Sequence, residues 1–266
     1  MPAKYDSIGV GYNVTRKADP YITAQLLAHL QPRSEGIYLD IGCGTGNYTN
    51  EFQKRGVQFI GIDPSKEMLE QAQRNNKNVD WRLGTAESIA LSDQTVSGII
   101  ASLTLHHWQD LHKAFSELHR VVKSDGRIVI FTATPKQMKG YWLNYYFPKM
   151  LAASIAQMPT LEKVKIAMIS GGIEFVGTDT YSIQPDLQDH FLYCGKHNPE
   201  LYFNAQIRRG ISSFSSIANS AEIETGLLQL RADIDSGKID EIITSYKNDL
   251  GDYCYVIGKK PASNDL

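Results

Sequence analysis

From residue 36 onward, short runs of apolar residues alternate with longer stretches in which apolar residues recur every three or four positions. The runs "IYLDI", "VQFIGID", "VDWRL", "VSGIIAS" and "GRIVIFT" are brief, rich in branched side chains and bounded by turn residues, which predicts buried strands. Between them the spacing is helical. It is clearest after Asp110, where Leu111, Ala114, Phe115, Leu118, Val121 and Val122 share one face and "SDG" ends the helix at Gly126. Strands joined by helices predict right-handed crossovers and a parallel, doubly wound α/β sheet. Ligands of such sheets sit at the carboxyl ends of the strands.

The pattern changes after Thr134. "KQMKGYWLNYYFPKMLAASIAQM" predicts one or two helices with a dense aromatic group, Tyr141, Trp142, Tyr145, Tyr146 and Phe147. A strand is predicted at "IEFVGTDTYSI". Helical spacing then returns in Ile223, Leu227, Leu230 and Ile234, and again in Ile239, Ile242, Ile243 and Tyr246. "DYCYVIGKK" reads as a last strand, so the stretch from about 185 to 250 reads as a helical insertion between the last two strands of one sheet.

Composition narrows the partners. A chain of 266 residues with 42% hydrophobic and 21% charged residues can bury one sizeable core. Its net charge of -2 supplies no global basic field for a phosphate backbone, which argues against nucleic acid. No apolar stretch reaches the roughly eighteen residues of a membrane helix, and "MPAKYDSIGV" lacks the apolar core of a signal peptide. The expectation is a cytoplasmic protein, a monomer or a homodimer. Cys43, Cys194 and Cys254 are far apart and form no C-x-x-C pair, so they read as reduced, packed thiols and suggest no metal site.

In "YLDIGCGTGNY", Gly42, Gly44 and Gly46 lie directly between a strand and a helix whose inward positions are Tyr48 and Phe52. Glycine there permits positive φ and removes the β-carbon, so a ligand can lie against the backbone beside a helix N-terminus. The spacing is G-x-G-x-G, whereas the dinucleotide fingerprint is G-x-G-x-x-G.

"LDIGCGTGNYT" resembles motif I of the class I S-adenosylmethionine-dependent methyltransferases, of the small-molecule, type 11 kind. The resemblance continues through "FIGIDPSKEMLEQA", "GTAESIALSDQTVSGIIASLTLHHWQD" and "ELHRVVKSDGRIVIFT", covering about residues 36 to 134. It implies a Rossmann-like seven-stranded sheet in the order 3-2-1-4-5-7-6 with an antiparallel last strand, bound to S-adenosylmethionine. The implied layout is a single domain over 1–266. Within it, 1–35 covers the cofactor, 36–134 binds it, and 135–170 and 185–250 form caps that select a small-molecule acceptor. The alternatives are an RNA or protein methyltransferase and a non-catalytic binder of the cofactor.

Residue by residue, the resemblance places the methionine part of the cofactor against Asp40, Gly42, Cys43 and Gly44. It extends the cofactor set to Pro64, Met68, Ala86 and Ser102. Asp63 would accept bonds from both ribose hydroxyls, since a carboxylate takes two donors at once; its alternative role is to cap a helix starting at Pro64. Where relatives have G-D-A, with the acid on the adenine amino group, this chain has Gly84-Thr85-Ala86-Glu87. Thr85 or Glu87 would take that bond. His106 and His107, in the floor after the fourth strand, are the candidates for base or acceptor-orienting groups. Ser102-Leu103-Thr104-Leu105 departs from the Asn/Asp-Pro-Pro-Tyr motif of enzymes that methylate amino groups of nucleic acids. In "YDSIGVGYNVTR", Tyr12 is the aromatic expected near the sulfonium. The aromatic group at 141–147 and "DLQDHFLYCGKHNPELYF", with His190, Tyr193 and Lys196, are the expected substrate-selecting parts, or else core.

Overall fold

The computed structural model describes residues 15–262. Its sheet comprises β1 (Ile37–Ile41), β2 (Gln58–Asp63), β3 (Asp80–Leu83), β4 (Val96–Ser102), β5 (Val122–Thr132), β6 (Glu174–Tyr181) and β7 (Tyr253–Lys259). The strand order is 3-2-1-4-5-7-6, with β7 antiparallel to both neighbours and the pairs among β1 to β5 parallel. This is the predicted topology. β1 and β4 are central and nearly fully buried, so their sequences read as unbroken apolar runs.

Helices α1 (Pro20–Leu30), α2 (Asn47–Lys54), α3 (Lys66–Asn75) and α4 (Leu111–Val121) cover the two faces. Asp19 caps α1 by accepting from the N–H groups of Tyr21 and Ile22, and Asp110 caps α4 through Lys113. The face of α4 read from sequence, Ala114, Phe115, Leu118 and Val121, is solvent-free. The boundary after it is shifted. The helix stops at Val121 and β5 begins at Val122, because Val122 pairs with Val96 before the strand turns at Asp125, whose φ is 69°.

The segment 135–158 divides into three helices, α5 (Pro135–Lys139), α6 (Leu143–Tyr146) and α7 (Pro148–Gln157), interrupted at Gly140 and Pro148. α8 (Leu161–Ser170) leads into β6. Between β6 and β7 lie α9 (Ala205–Arg209), α10 (Ser220–Asp235) and α11 (Ile239–Ser245). They pack with α1 and α5 to α7 as one apolar cluster, and a second cluster on the other face joins α4 and α8 to the sheet. Among the described residues no helix is long and apolar enough to cross a membrane.

Candidate active site

The glycine loop follows β1 and carries positive φ at all three glycines, 76° at Gly42, 55° at Gly44 and 76° at Gly46. The three are required for different reasons. A β-carbon on Gly42 would collide with the Thr104 side chain, and one on Gly46 would collide with the ring of Trp81. One on Gly44 meets nothing within 4 Å. Gly42 and Gly46 are therefore packing glycines, and the open position is Gly44, which borders a cavity of about 1020 Å³.

Asp63, at the end of β2, locks this loop. Its Oδ2 accepts the Gly44 N–H at 2.8 Å and its Oδ1 accepts the Ser65 N–H at 2.9 Å. It does not cap a helix beginning at Pro64. α3 begins at Lys66 and its cap is Ser65, whose hydroxyl accepts from Met68 N–H. Asp63 is buried, yet it borders the cavity.

Asp40, in β1, is buried beside the loop and accepts from the Thr49 hydroxyl at 2.6 Å. Burial pushes its carboxyl up to about 7; the Thr49 bond works against that rise and the nearby Asp63 charge adds to it. Burial, with Asp40 and Asp63, likewise holds the Cys43 thiol well above its ordinary range, so it stays protonated.

Of the residues expected at the cofactor, Gly42, Gly44, Asp63, Pro64, Met68, Thr85, Ala86, Glu87 and Ser102 all border the large cavity. Asp40 and Cys43 border a small adjoining one of about 60 Å³. Glu87 also supports local structure, since its Oε1 accepts the Gln109 N–H at 2.7 Å ahead of α4. His106 and His107 reach the large cavity from a 3-10 turn, with ring centroids 3.9 Å apart. Tyr12 lies outside the described residues.

The aromatic group is corrected. Tyr141, Trp142, Tyr146 and Phe147 are buried in the core and, like Tyr145, do not border the cavity. Tyr193 stacks on Tyr141 with centroids 4.0 Å apart, and Lys196 pairs with Asp252 at 2.6 Å. The apolar faces of these short helices turn toward the insertion and the sheet, so the four buried rings became core, Tyr145 faces solvent, and among the described residues this group forms no cap over the cavity. His190 is also absent from the cavity wall, although Phe191 and Leu192 belong to it.

The wall opposite the glycine loop is formed instead by Met138, Ser154, Met158, Phe191, Ile211, Ser213, Ile217 and Tyr253. These come from five separate stretches of chain. All but Tyr253 lie in the two segments, 135–170 and 185–250, expected to select the acceptor, but of them only Phe191 belongs to a stretch singled out for that role within those segments. Leu103 is a further unmarked residue. It follows β4 with φ 53°, an uncommon value for leucine, and donates its N–H to the Phe131 carbonyl while Thr104 packs against Gly42.

Arg16 adds a second tie. It pairs with the buried Asp189, which also accepts from the Tyr48 hydroxyl at 3.1 Å, and the Arg16 carbonyl accepts from Asn47. The residues before α1, the start of α2 and the insertion are thereby joined at the edge of the glycine loop.

A glycine loop between β1 and α2, an acid at the end of β2 and a cavity above β1 to β5 define a nucleoside-cofactor site of the Rossmann-like kind. Comparison with known proteins specifies it further. Residues 39–130 match the methyltransferase domain family. A solved structure from Anabaena variabilis, assigned as a methyltransferase to an antibiotic biosynthesis pathway, is 32% identical. The match covers 92% of this chain and 98% of that one, with TM-score 0.81. The chain thus belongs to the class I S-adenosylmethionine-dependent methyltransferases, and S-adenosylmethionine is its cofactor.

The curated methyltransferase YcgJ of Bacillus subtilis is 37% identical over 103 residues, 37% of this chain and 41% of that protein. This chain spans about half the length of the curated relatives it matches. The geranyl diphosphate C-methyltransferase of Streptomyces coelicolor, solved with Mg²⁺, geranyl diphosphate and S-adenosylhomocysteine, shares the fold. It is 17% identical, over 90% of this chain and 78% of that one, with TM-score 0.56.

Proposed function

We propose that this protein transfers a methyl group from S-adenosylmethionine to a small-molecule acceptor bound in the same cavity. The observation that carries this reading is the continuity of that cavity. At about 1020 Å³ it runs from Gly44 and Asp63 to the Met158 and Ser213 wall, at the upper end of the ~300–1,000 Å³ usual for one drug-sized ligand. It has room for a nucleoside cofactor and a second molecule side by side.

The residues fit the cofactor. Gly44 leaves the backbone open to a ligand, with Gly42, Asp40 and Cys43 beside it for the methionine part. Asp63, already held by two backbone N–H groups, presents a fixed carboxylate to the ribose hydroxyls. Pro64, Met68, Thr85, Ala86 and Glu87 flank the adenine, and Ser102 closes the floor.

When bound, the cofactor supplies an electrophilic methyl group on a sulfonium. The protein's work is to align the acceptor in line with it and exclude water, which lowers the barrier by pre-paying orientation. His106 and His107 orient the acceptor or take its proton. Mass spectrometry of small-molecule extracts incubated with the protein and isotopically labelled S-adenosylmethionine tests the reading. A labelled product that depends on His106 or His107 supports it, and label found only on RNA or protein contradicts it.

A further inference from the structure

The wall facing the glycine loop contains no aspartate, glutamate, lysine or arginine among the described residues. The charged residues that border the cavity are Arg16, Asp63, Glu87, Asp110 and Lys113. Each of them lies before β5, on the cofactor side or around the turn that leads into α4. Asp63 and Glu87 are engaged by backbone N–H groups, and Arg16 is engaged by Asp189. Met138, Met158, Phe191, Ile211, Ile217 and Tyr253 give the opposite side an apolar lining. A carboxylate or phosphate placed there would be desolvated without a counter-charge, which is costly.

The polar side chains that interrupt that lining, Ser154, Gln157, Ser212 and Ser213, are all uncharged, and the Ser154–Ser213 pair is the one whose hydrogen bonds define an acceptor. The Ser154 hydroxyl lies 2.8 Å from the Met150 carbonyl one turn earlier in α7, and 2.8 Å from Ser213 Oγ. Both serines are buried. The single Ser154 proton goes to the carbonyl in the back-bonding usual for a helical serine. Ser213 then donates to Ser154, and the remaining lone pairs of Ser213 are left to accept from a ligand.

Building on the methyltransferase reading, we infer that the acceptor is an uncharged molecule with an apolar body and a hydroxyl or neutral N–H group that Ser213 accepts from. This chamber is the opposite of one built for a diphosphate or a carboxylate, whatever the shared fold. Methionine lines it at two positions, which suits a flexible or irregular apolar body.

The test is a calorimetric titration of the full chain saturated with S-adenosylhomocysteine, using three probes that share one monoterpene body: geraniol, geranic acid, and geranyl diphosphate with Mg²⁺. Geraniol is expected to bind at least about tenfold more tightly than either charged probe. Ser213→Ala should weaken geraniol about five- to tenfold while leaving S-adenosylhomocysteine affinity unchanged. Ile217→Lys, or Met158→Lys if the former does not fold, should raise geranic acid to at least the affinity of geraniol. Binding of either charged probe as tightly as geraniol overturns the inference, as does binding of none of the three while S-adenosylhomocysteine binds. Failure of S-adenosylhomocysteine itself to bind overturns the methyltransferase reading together with it.

Discussion

The Asp63 carboxylate accepts the backbone N–H of Gly44 at 2.8 Å, tying the end of β2 to the open glycine of the β1–α2 loop. The acid proposed to hold the ribose therefore also sets the loop against which the methionine part would lie. Asp63→Ala leaves the Gly44 and Ser65 N–H groups unmet, at about 1–3 kcal/mol each when buried. The expected result is a lower melting temperature together with at least a tenfold loss of S-adenosylhomocysteine affinity. Calorimetric binding and thermal unfolding measure both. A stability loss with unchanged affinity would reduce Asp63 to a structural part.

Gly42 and Gly44 separate packing from ligand approach. Both pay for a side chain at positive φ, roughly 1 kcal/mol or more. Gly42→Ala also drives a β-carbon into Thr104, so it should destabilise the fold more than Gly44→Ala does. Gly44→Val should keep the fold largely intact and abolish cofactor binding. Chemical denaturation of the variants, set beside binding titrations, checks the order; equal destabilisation with equal affinity loss would contradict it.

Much of this was legible in the sequence, and the reasons are physical. Buried parallel strands must be apolar runs, and a cofactor turn must contain glycine, so the sheet and the ligand-facing turn at Gly44 could be read locally, while the strand order and the places of Asp63 and His106 followed from the resemblance to the methyltransferase family. The distinct tasks of Gly42 and Gly46 could not, because Thr104 reaches the loop from the turn after β4 and Trp81 from β3. The acceptor wall was hidden for the same reason, since Met138, Met158, Ile211 and Tyr253 meet only in three dimensions. The aromatic group misled because aromatic residues suit a pocket and a core equally, and only the packing around Tyr141 and Trp142 decides.

Arg16 and Asp189 form a largely buried ion pair that no local pattern announced. Arg16→Ala removes the counter-charge of the buried Asp189 carboxylate, to which the Tyr48 hydroxyl still donates, and should cost about 3–5 kcal/mol. The double replacement Arg16→Met with Asp189→Leu should recover most of that loss. Urea unfolding of the single and double variants measures the coupling, and simple additivity would show that the pair is not one unit.

Asp40 makes stability depend on pH. Its carboxyl rises from an ordinary 3.8 to about 7 in the fold. Between those values the native state keeps a proton that the unfolded chain has released. Its contribution to stability therefore falls as pH rises from about 4 to about 7 and levels off above that. Relative to Asp40→Asn, the natural protein should lose stability across that window, by an upper bound of roughly 4 kcal/mol. Parallel curves for the two proteins in a pH series of urea unfolding would contradict the burial assigned to Asp40.

The most direct measurement is calorimetric titration of the protein with S-adenosylhomocysteine and, separately, with NAD. The G-x-G-x-G loop, the open Gly44 and the fixed Asp63 carboxylate predict a dissociation constant in the micromolar range for S-adenosylhomocysteine and no measurable binding of NAD. Tighter binding of NAD, or no binding of S-adenosylhomocysteine, would contradict the methyl-transfer account.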